Sequence, residues 1–288
     1  MELINIHFFR KSSLEKIDYA KVLDFFDSQP NFETYYTDDY VEIIHKDLEF
    51  NFSYRYLITK KSKVSKIYKL DPMYSNVNFL LEMPIMIPSF IAKEILSIIQ
   101  KLSRTFDLGI YHDSFPDVKP FNVVEFLDFF EKQRGLYIQE NGLNGKITFD
   151  ADKLNIICKF QRSVDSLVDY YHNEVAVNMC YPIIDKNTDE SGICYDWKFG
   201  TPIIFAPHVT YINIIDEENG KMLVRRDELL VILNKYLSSI TNYLPDMYIL
   251  KQKQAKNCKK ELKKIQKNKL QFKRKKYKNY RKRANTIN

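Results

Sequence analysis

The chain has 288 residues, 45% of them hydrophobic and 14% aromatic, with only 7 glycines and a single tryptophan. That much apolar material supports one large domain or two ordinary ones and excludes a chain disordered along its whole length. The net charge of +7 hides a division: residues 251–288 hold 17 Lys and Arg against one acid, Glu261, whereas residues 1–250 hold 27 basic and 36 acidic residues, giving +16 and −9.

From the N-terminus, Leu3–Phe9 reads as a strand. Ser12 or Ser13 is the expected cap of a helix whose apolar face includes Leu14, Ile17, Val22, Leu23, Phe25 and Phe26. Phe32–Ile44 and Phe50–Ile58, rich in β-branched and aromatic residues, are expected to form an antiparallel hairpin across His45-Lys46-Asp47. Lys60–Lys69 is a basic strand or loop, and Asn78–Ile87 a strand interrupted at Pro84. Pro88 and Ser89 open a helix through Phe106 with Ile91, Ile95, Leu96, Ile98, Ile99 and Leu102 inside, followed by the short strand Leu108–Tyr111. This order resembles the ferredoxin-like βαββαβ plan with one strand added, an architectural likeness that carries no function.

The turn-rich stretch 112–120 is the expected internal boundary, so the reading is a domain at 1–115, a second at 116–250 and a tail at 251–288. In the second, Val123–Lys132 is helical and Asn141–Gly145 is a turn between short strands. Asp152–His172 is a long helix carrying Leu154, Ile157, Cys158, Val164, Leu167, Val168 and Tyr171. Val175–Ile184, Ile193–Trp197, Ile203–Phe205 and Val209–Ile215 read as antiparallel strands before a final helix, Arg226–Tyr243. Strands and helices mix without steady βαβ alternation, so the expected class is α+β with a basic C-terminal helix or tail.

In that tail Ala255, Cys258, Leu262, Ile265 and Phe272 recur along one helical stripe, with cations nearly everywhere else. Lys259, Lys260, Lys263, Lys264 and Lys267, followed by Lys273, Arg274, Lys275, Lys276, Arg281, Lys282 and Arg283, are suited to phosphates. Tyr277 and Tyr280, interleaved among them, are suited to stacking on unpaired bases. The expectation is a non-enzymatic RNA- or ribonucleoprotein-associated factor whose acidic body engages a protein partner. An adaptor for acidic proteins or an anionic membrane surface is the alternative, and an enzyme of no recognisable motif family a further one.

Chemistry-bearing motifs are sparse. With glycines at 109, 135, 142, 145, 192, 200 and 220, neither GxxxxGK[ST] nor GxGxxG is present, so no nucleotide cofactor is expected. Cys158, His172, Cys180, Cys194 and His208 are separated by 14, 8, 14 and 14 residues and lack the paired spacing of zinc ligands, so no metal is expected. Cys180 or Cys194 with His172 or His208 is conceivable as a nucleophile and base, although an inert core cysteine suits the apolar run around Cys180 better. His112-Asp113 closes a strand at a loop, where it could serve as an acid–base pair, although a turn that Asp113 caps suits it better. Trp197, Phe199, Phe205 and His208 line a groove for a peptide or base, or staple a proline-flanked edge strand to the core.

No CxxC pair occurs among the cysteines, which suits free thiols in a reducing compartment. The first residues, MELINIHFFRKSS, lack the basic and long apolar regions of a signal peptide. Apolar runs such as Phe79–Ile87 fall short of a membrane span, and the expected location is the cytoplasm.

Overall fold

Phe8 and Phe9 are adjacent, and both are completely buried. Side chains of a strand alternate between faces, so a sheet that buries both must be covered on both sides. The structure, a computed structural model, describes residues 2–143, 151–172, 174–185, 191–217, 220–240, 244–258, 261 and 272–273. They form two compact units, one up to residue 143 and one from residue 151.

The first unit runs β1 (Leu3–Lys11), α1 (Tyr19–Asp27), β2 (Phe32–Tyr36), β3 (Tyr40–Asp47), β4 (Phe52–Thr59), β5 (Tyr74–Pro84), α2 (Ser89–Phe106), β6 (Leu108–Tyr111), β7 (Lys119–Pro120) and α3 (Val123–Glu140). Its seven strands form one antiparallel sheet in the order β2-β3-β4-β5-β1-β6-β7. On the helix side Phe8 stacks on Phe79 at 4.9 Å, and Phe26 of α1 lies 4.6 Å from Tyr56. Phe25 meets Phe106 of α2 edge-on at 6.1 Å, which sets the two helices side by side. Phe9 faces the other way, into a small second core with Val64, Leu70, Tyr111 and Val118.

Local details depart from the sequence expectation for identifiable reasons. The first helix begins at Tyr19 rather than after Ser12 or Ser13, because Asp18 caps it by accepting from Ala20 N–H at 3.0 Å. Ser12 is occupied elsewhere, with its hydroxyl 2.8 Å from that of Ser75. The expected strand 32–44 is two strands, because the Thr37 hydroxyl oxygen accepts from Tyr40 N–H at 3.0 Å and folds the chain into a hairpin. The helix from Val123 runs on to Glu140. Asn141-Gly142 ends that helix instead of joining strands: Gly142 takes φ +60°, and Leu143 N–H reaches the Ile138 carbonyl at 2.9 Å. Arg134 ties α3 to the start of α2, donating to the Ile87 carbonyl at 2.7 Å and the Ser89 hydroxyl at 3.0 Å. The turn-rich stretch 112–120 lies within this unit, where Phe115 packs edge-on against Phe126 and Phe129 of α3.

The second unit contains α4 (Ala151–Tyr170), β8 (Tyr181–Asp185), β9 (Ser191–Lys198), β10 (Ile203–Phe205), β11 (Tyr211–Asp216), β12 (Gly220–Arg225), α5 (Arg226–Leu233), β13 (Ser238–Ser239), β14 (Tyr248–Leu250), α6 (Gln252–Asn257) and β15 (Phe272–Lys273). Two sheets, β12-β11-β9-β8-β15 and β10-β14-β13, share one core. The expected all-antiparallel pairing is corrected at β9 and β11, which are parallel neighbours because β10 leaves to join the smaller sheet between them. The expected helix 226–243 stops at Leu233, and Ser238–Ser239 pairs with β14. The molecule is thus mixed α+β, with six helices among the described residues.

Candidate functional site

Of the thiol–imidazole pairings raised by the sequence, the second unit brings together Cys180 and His208. Cys180 Sγ lies 3.3 Å from His208 Nε2, although 28 residues separate them. Cys180 enters from the extended stretch before β8, and His208 from the turn between β10 and β11. The His208 ring packs on Phe160 of α4 at 4.9 Å, and its Nδ1 is buried without a partner. Burial, then the neighbouring Arg226 and Lys153, bring the His208 pKa down to about 4. Burial, then nearby Cys194, push the Cys180 thiol up to about 12.

Both displacements favour neutral forms. At neutral pH the proton stays on sulfur, the imidazole is uncharged, and the thiolate a nucleophile needs is scarce. The pair has the geometry of a catalytic dyad with the electrostatics of a core hydrogen bond. Next to it the Tyr181 hydroxyl donates to Asp196 Oδ1 at 2.5 Å, and Asn213 donates to the same oxygen at 2.7 Å. Arg226, 3% exposed at the start of α5, donates to Asp246 Oδ2 at 3.1 Å and to its carbonyl at 2.6 Å.

The aromatic set at 197–208 is part of the same core. Trp197 and Phe205 are wholly buried and meet edge-on at 5.7 Å, and the Trp197 indole N–H donates to the Thr201 carbonyl at 2.9 Å. Phe199 is half-buried against the core and His208 is 6% exposed. Trp197, Phe205 and His208 thus pack within the core, and of the four only Phe199 keeps part of its ring exposed. His172 is exposed with φ +48°, while Cys158, Cys194 and Cys258 are buried. No group of three metal-ligating side chains converges among the described residues.

In the first unit His112 closes a turn. Its Nδ1 accepts from Ser114 N–H at 3.1 Å and lies 2.8 Å from the Ser114 hydroxyl. Since a backbone N–H can only donate, Nδ1 carries no proton and Nε2 does. The sequence did not flag the ionic ladder across β3, β4 and β5, where Arg55 donates to Glu82 and to Glu42 at 2.6 Å each. Glu82, inside an otherwise apolar run, was its only signal.

Of the basic segment, Lys259, Lys260, Lys263, Lys264, Lys267, Arg274, Lys275, Lys276, Tyr277, Tyr280, Arg281, Lys282 and Arg283 lie outside the described residues. Its root is described: Ala255 and Cys258, the first two stripe residues, are fully buried in the second core. Lys251, Lys253 and Lys256 are exposed and make no ion pair among the described residues. Glu261, the segment's single acid, accepts from Lys235 at 3.0 Å. Farther on, Phe272 and Lys273 pair as a strand with Asp185 and Ile184 of β8, which corrects the expectation of a helical stripe reaching Phe272. No helix among the described residues is long and apolar enough to cross a membrane. Compared with protein-family models, with curated proteins and with solved structures, the chain matches none.

Proposed function

We propose that this chain is a non-enzymatic RNA- or ribonucleoprotein-associated factor whose basic C-terminal segment contacts phosphates and whose acidic folded part contacts a protein partner. The carrying observation is the charge division of +16 against −9. Uniform enrichment in lysine would not empty one segment of acids and concentrate them in the other. The root of the segment supports the reading: Ala255 and Cys258 are buried in the second core while Lys251, Lys253 and Lys256 face solvent. The neutral Cys180–His208 pair weighs against an enzyme built on those groups. Four free thiols suit a reducing cytoplasm.

The test is the salt dependence of single-stranded RNA binding by the full chain and by a variant ending at Glu261, which keeps Ala255 and Cys258 in the core. Residues 262–288 hold 12 cations and no acid. With half of them on phosphates, log K falls against log salt with a slope of about −4. The shortened variant is expected to lose most of the affinity, and RNA affinity that survives the cut refutes the mechanism. Binding to phosphatidylserine vesicles without RNA binding assigns the segment to a membrane surface instead.

The architectural part of the proposal is a ferredoxin-like core in the first unit, made of β4-β5-β1-β6 with α1 and α2. Supporting it are the antiparallel order of those four strands and the contact between Phe25 and Phe106 that sets both helices on one face. In this reading β2 and β3 extend one edge and β7 the other.

A further inference from the structure

Helix α2 carries three hydroxyl residues from its midpoint onward, and they behave differently. Ser97 and Thr105 are exposed, and each donates back to the carbonyl four residues earlier, at 2.9 Å to Lys93 and 2.8 Å to Lys101. Ser103 is 8% exposed and its Oγ is buried with no hydrogen-bond partner among the described residues. The local bond that satisfies its exposed neighbours is the usual resort of a helical serine, so the buried residue lacks it where the need is greatest. Buried hydroxyls without partners are destabilising and uncommon in folded proteins.

Ser103 lines an open cleft of about 450 Å³ in the first unit, between the end of β1, the C-terminal half of α2 and the approach to α3. Phe121, Tyr74 and Gln100 line it as well. Lys11 and Arg104 are exposed there without ion-pair partners among the described residues, and Asp107 is the acid of the lining. Gly109 lines it too: a Cβ there would meet Val118 Cγ1 at 2.9 Å and Tyr74 Cε1 at 3.4 Å, so the absent side chain lets β6 and its neighbours close behind the cleft.

We infer that this cleft binds a single ribonucleotide, either free or at the end of an RNA strand. Each part of the ligand has a counterpart in the lining. Ring surface at Phe121 and Tyr74 accepts the face of a base. Ser103 and Gln100, each both donor and acceptor, read its polar edge. Lys11 and Arg104 take the phosphate as charge-assisted donors, and the Asp107 carboxylate accepts from a ribose hydroxyl, as acidic residues do in nucleotide sites.

Equilibrium dialysis of the full chain against labelled AMP, with adenosine, dAMP, inorganic phosphate and a short RNA as competitors, tests the inference. AMP binding is expected to saturate, with adenosine and dAMP weaker and phosphate weakest. Competition by RNA ending in a phosphate distinguishes a strand end from a free nucleotide as the natural source. Ser103→Ala is expected to weaken AMP about 2- to 10-fold, the loss of one hydrogen bond, while the melting temperature stays level or rises. Arg104→Glu is expected to bring AMP down to the affinity of adenosine. Because the C-terminal cations are common to all variants and to both AMP and dAMP, they cancel from these comparisons. Absence of saturation up to about 10 mM AMP, a range that covers very weak sites, overturns the inference. So does binding that Ser103→Ala and Arg104→Glu leave unchanged, or dAMP binding equal to AMP.

Discussion

Tyr56 sits at the centre of the aromatic core of the first unit, 0% exposed, and its hydroxyl has no hydrogen-bond partner. Phe26 lies 4.6 Å from its ring, Phe79 5.6 Å and Phe8 6.3 Å. Burial pushes its phenol pKa far up, so it is never ionised at accessible pH. Replacing Tyr56 with Phe removes one oxygen, keeps the ring and opens almost no cavity. The change is therefore close to pure relief of an unsatisfied buried hydroxyl, worth about 1–3 kcal/mol. At about 3 °C per kcal/mol for a unit of this size, the first unit should melt about 3–9 °C higher. Thermal or urea unfolding followed by far-ultraviolet circular dichroism reads that shift. Trp197, the only tryptophan, is buried in the second unit, so its fluorescence supplies an internal reference that should not move. A Tyr56→Phe variant that is less stable by about 1 kcal/mol or more means that the hydroxyl makes a bond in solution, and the reasoning fails.

Two further outcomes come from the second unit. His208 prefers its neutral form when folded, with a pKa near 4 against 6.5 for an ordinary histidine, so the unfolded chain binds more protons between those values. On the order of 3 kcal/mol of stability is therefore complete above pH 6.5 and lost as pH falls toward 4. Trp197 fluorescence in urea across that range measures it, and an equal slope in His208→Gln would refute the assignment. Cys180, its thiol raised to about 12, should alkylate with iodoacetamide about 10³-fold more slowly than an ordinary cysteine at pH 7.5. Peptide mass spectrometry follows the rate, and a rate like that of a free thiol would contradict the neutral pair.

How far the sequence reaches depends on whether an interaction is local. Helix α2 was legible because Ile91, Ile95, Leu96, Ile99 and Leu102 repeat at helical spacing, and those five are buried. The long helix at 151–170 was legible for the same reason, through Cys158 and Leu167. Capping was less so: Ser12 or Ser13 was the expected cap, and the structure instead engages Ser12 with Ser75 and gives the cap to Asp18. The charge division needs no fold at all, since it is a sum along the chain. Trp197 and His208 illustrate the opposite limit. Their residue types suit a groove as well as a core, and only packing from Phe160, Phe205 and Cys180 selects the core.

Periodicity, turn chemistry and net charge are written into neighbouring residues, so the sequence by itself determined the α+β class, the long helices and the basic C-terminal segment. Only the tertiary structure decided that Cys180 meets His208, that Arg55 bridges two strands to reach Glu42 and Glu82, and that Ser103 keeps a buried hydroxyl unpaired beside a cleft. The pairings join residues 13 to 28 positions apart, and the orphan arises where the fold buries the Ser103 hydroxyl. The chain order of such groups carries no trace of which ones will share the low-dielectric interior that sets their charge.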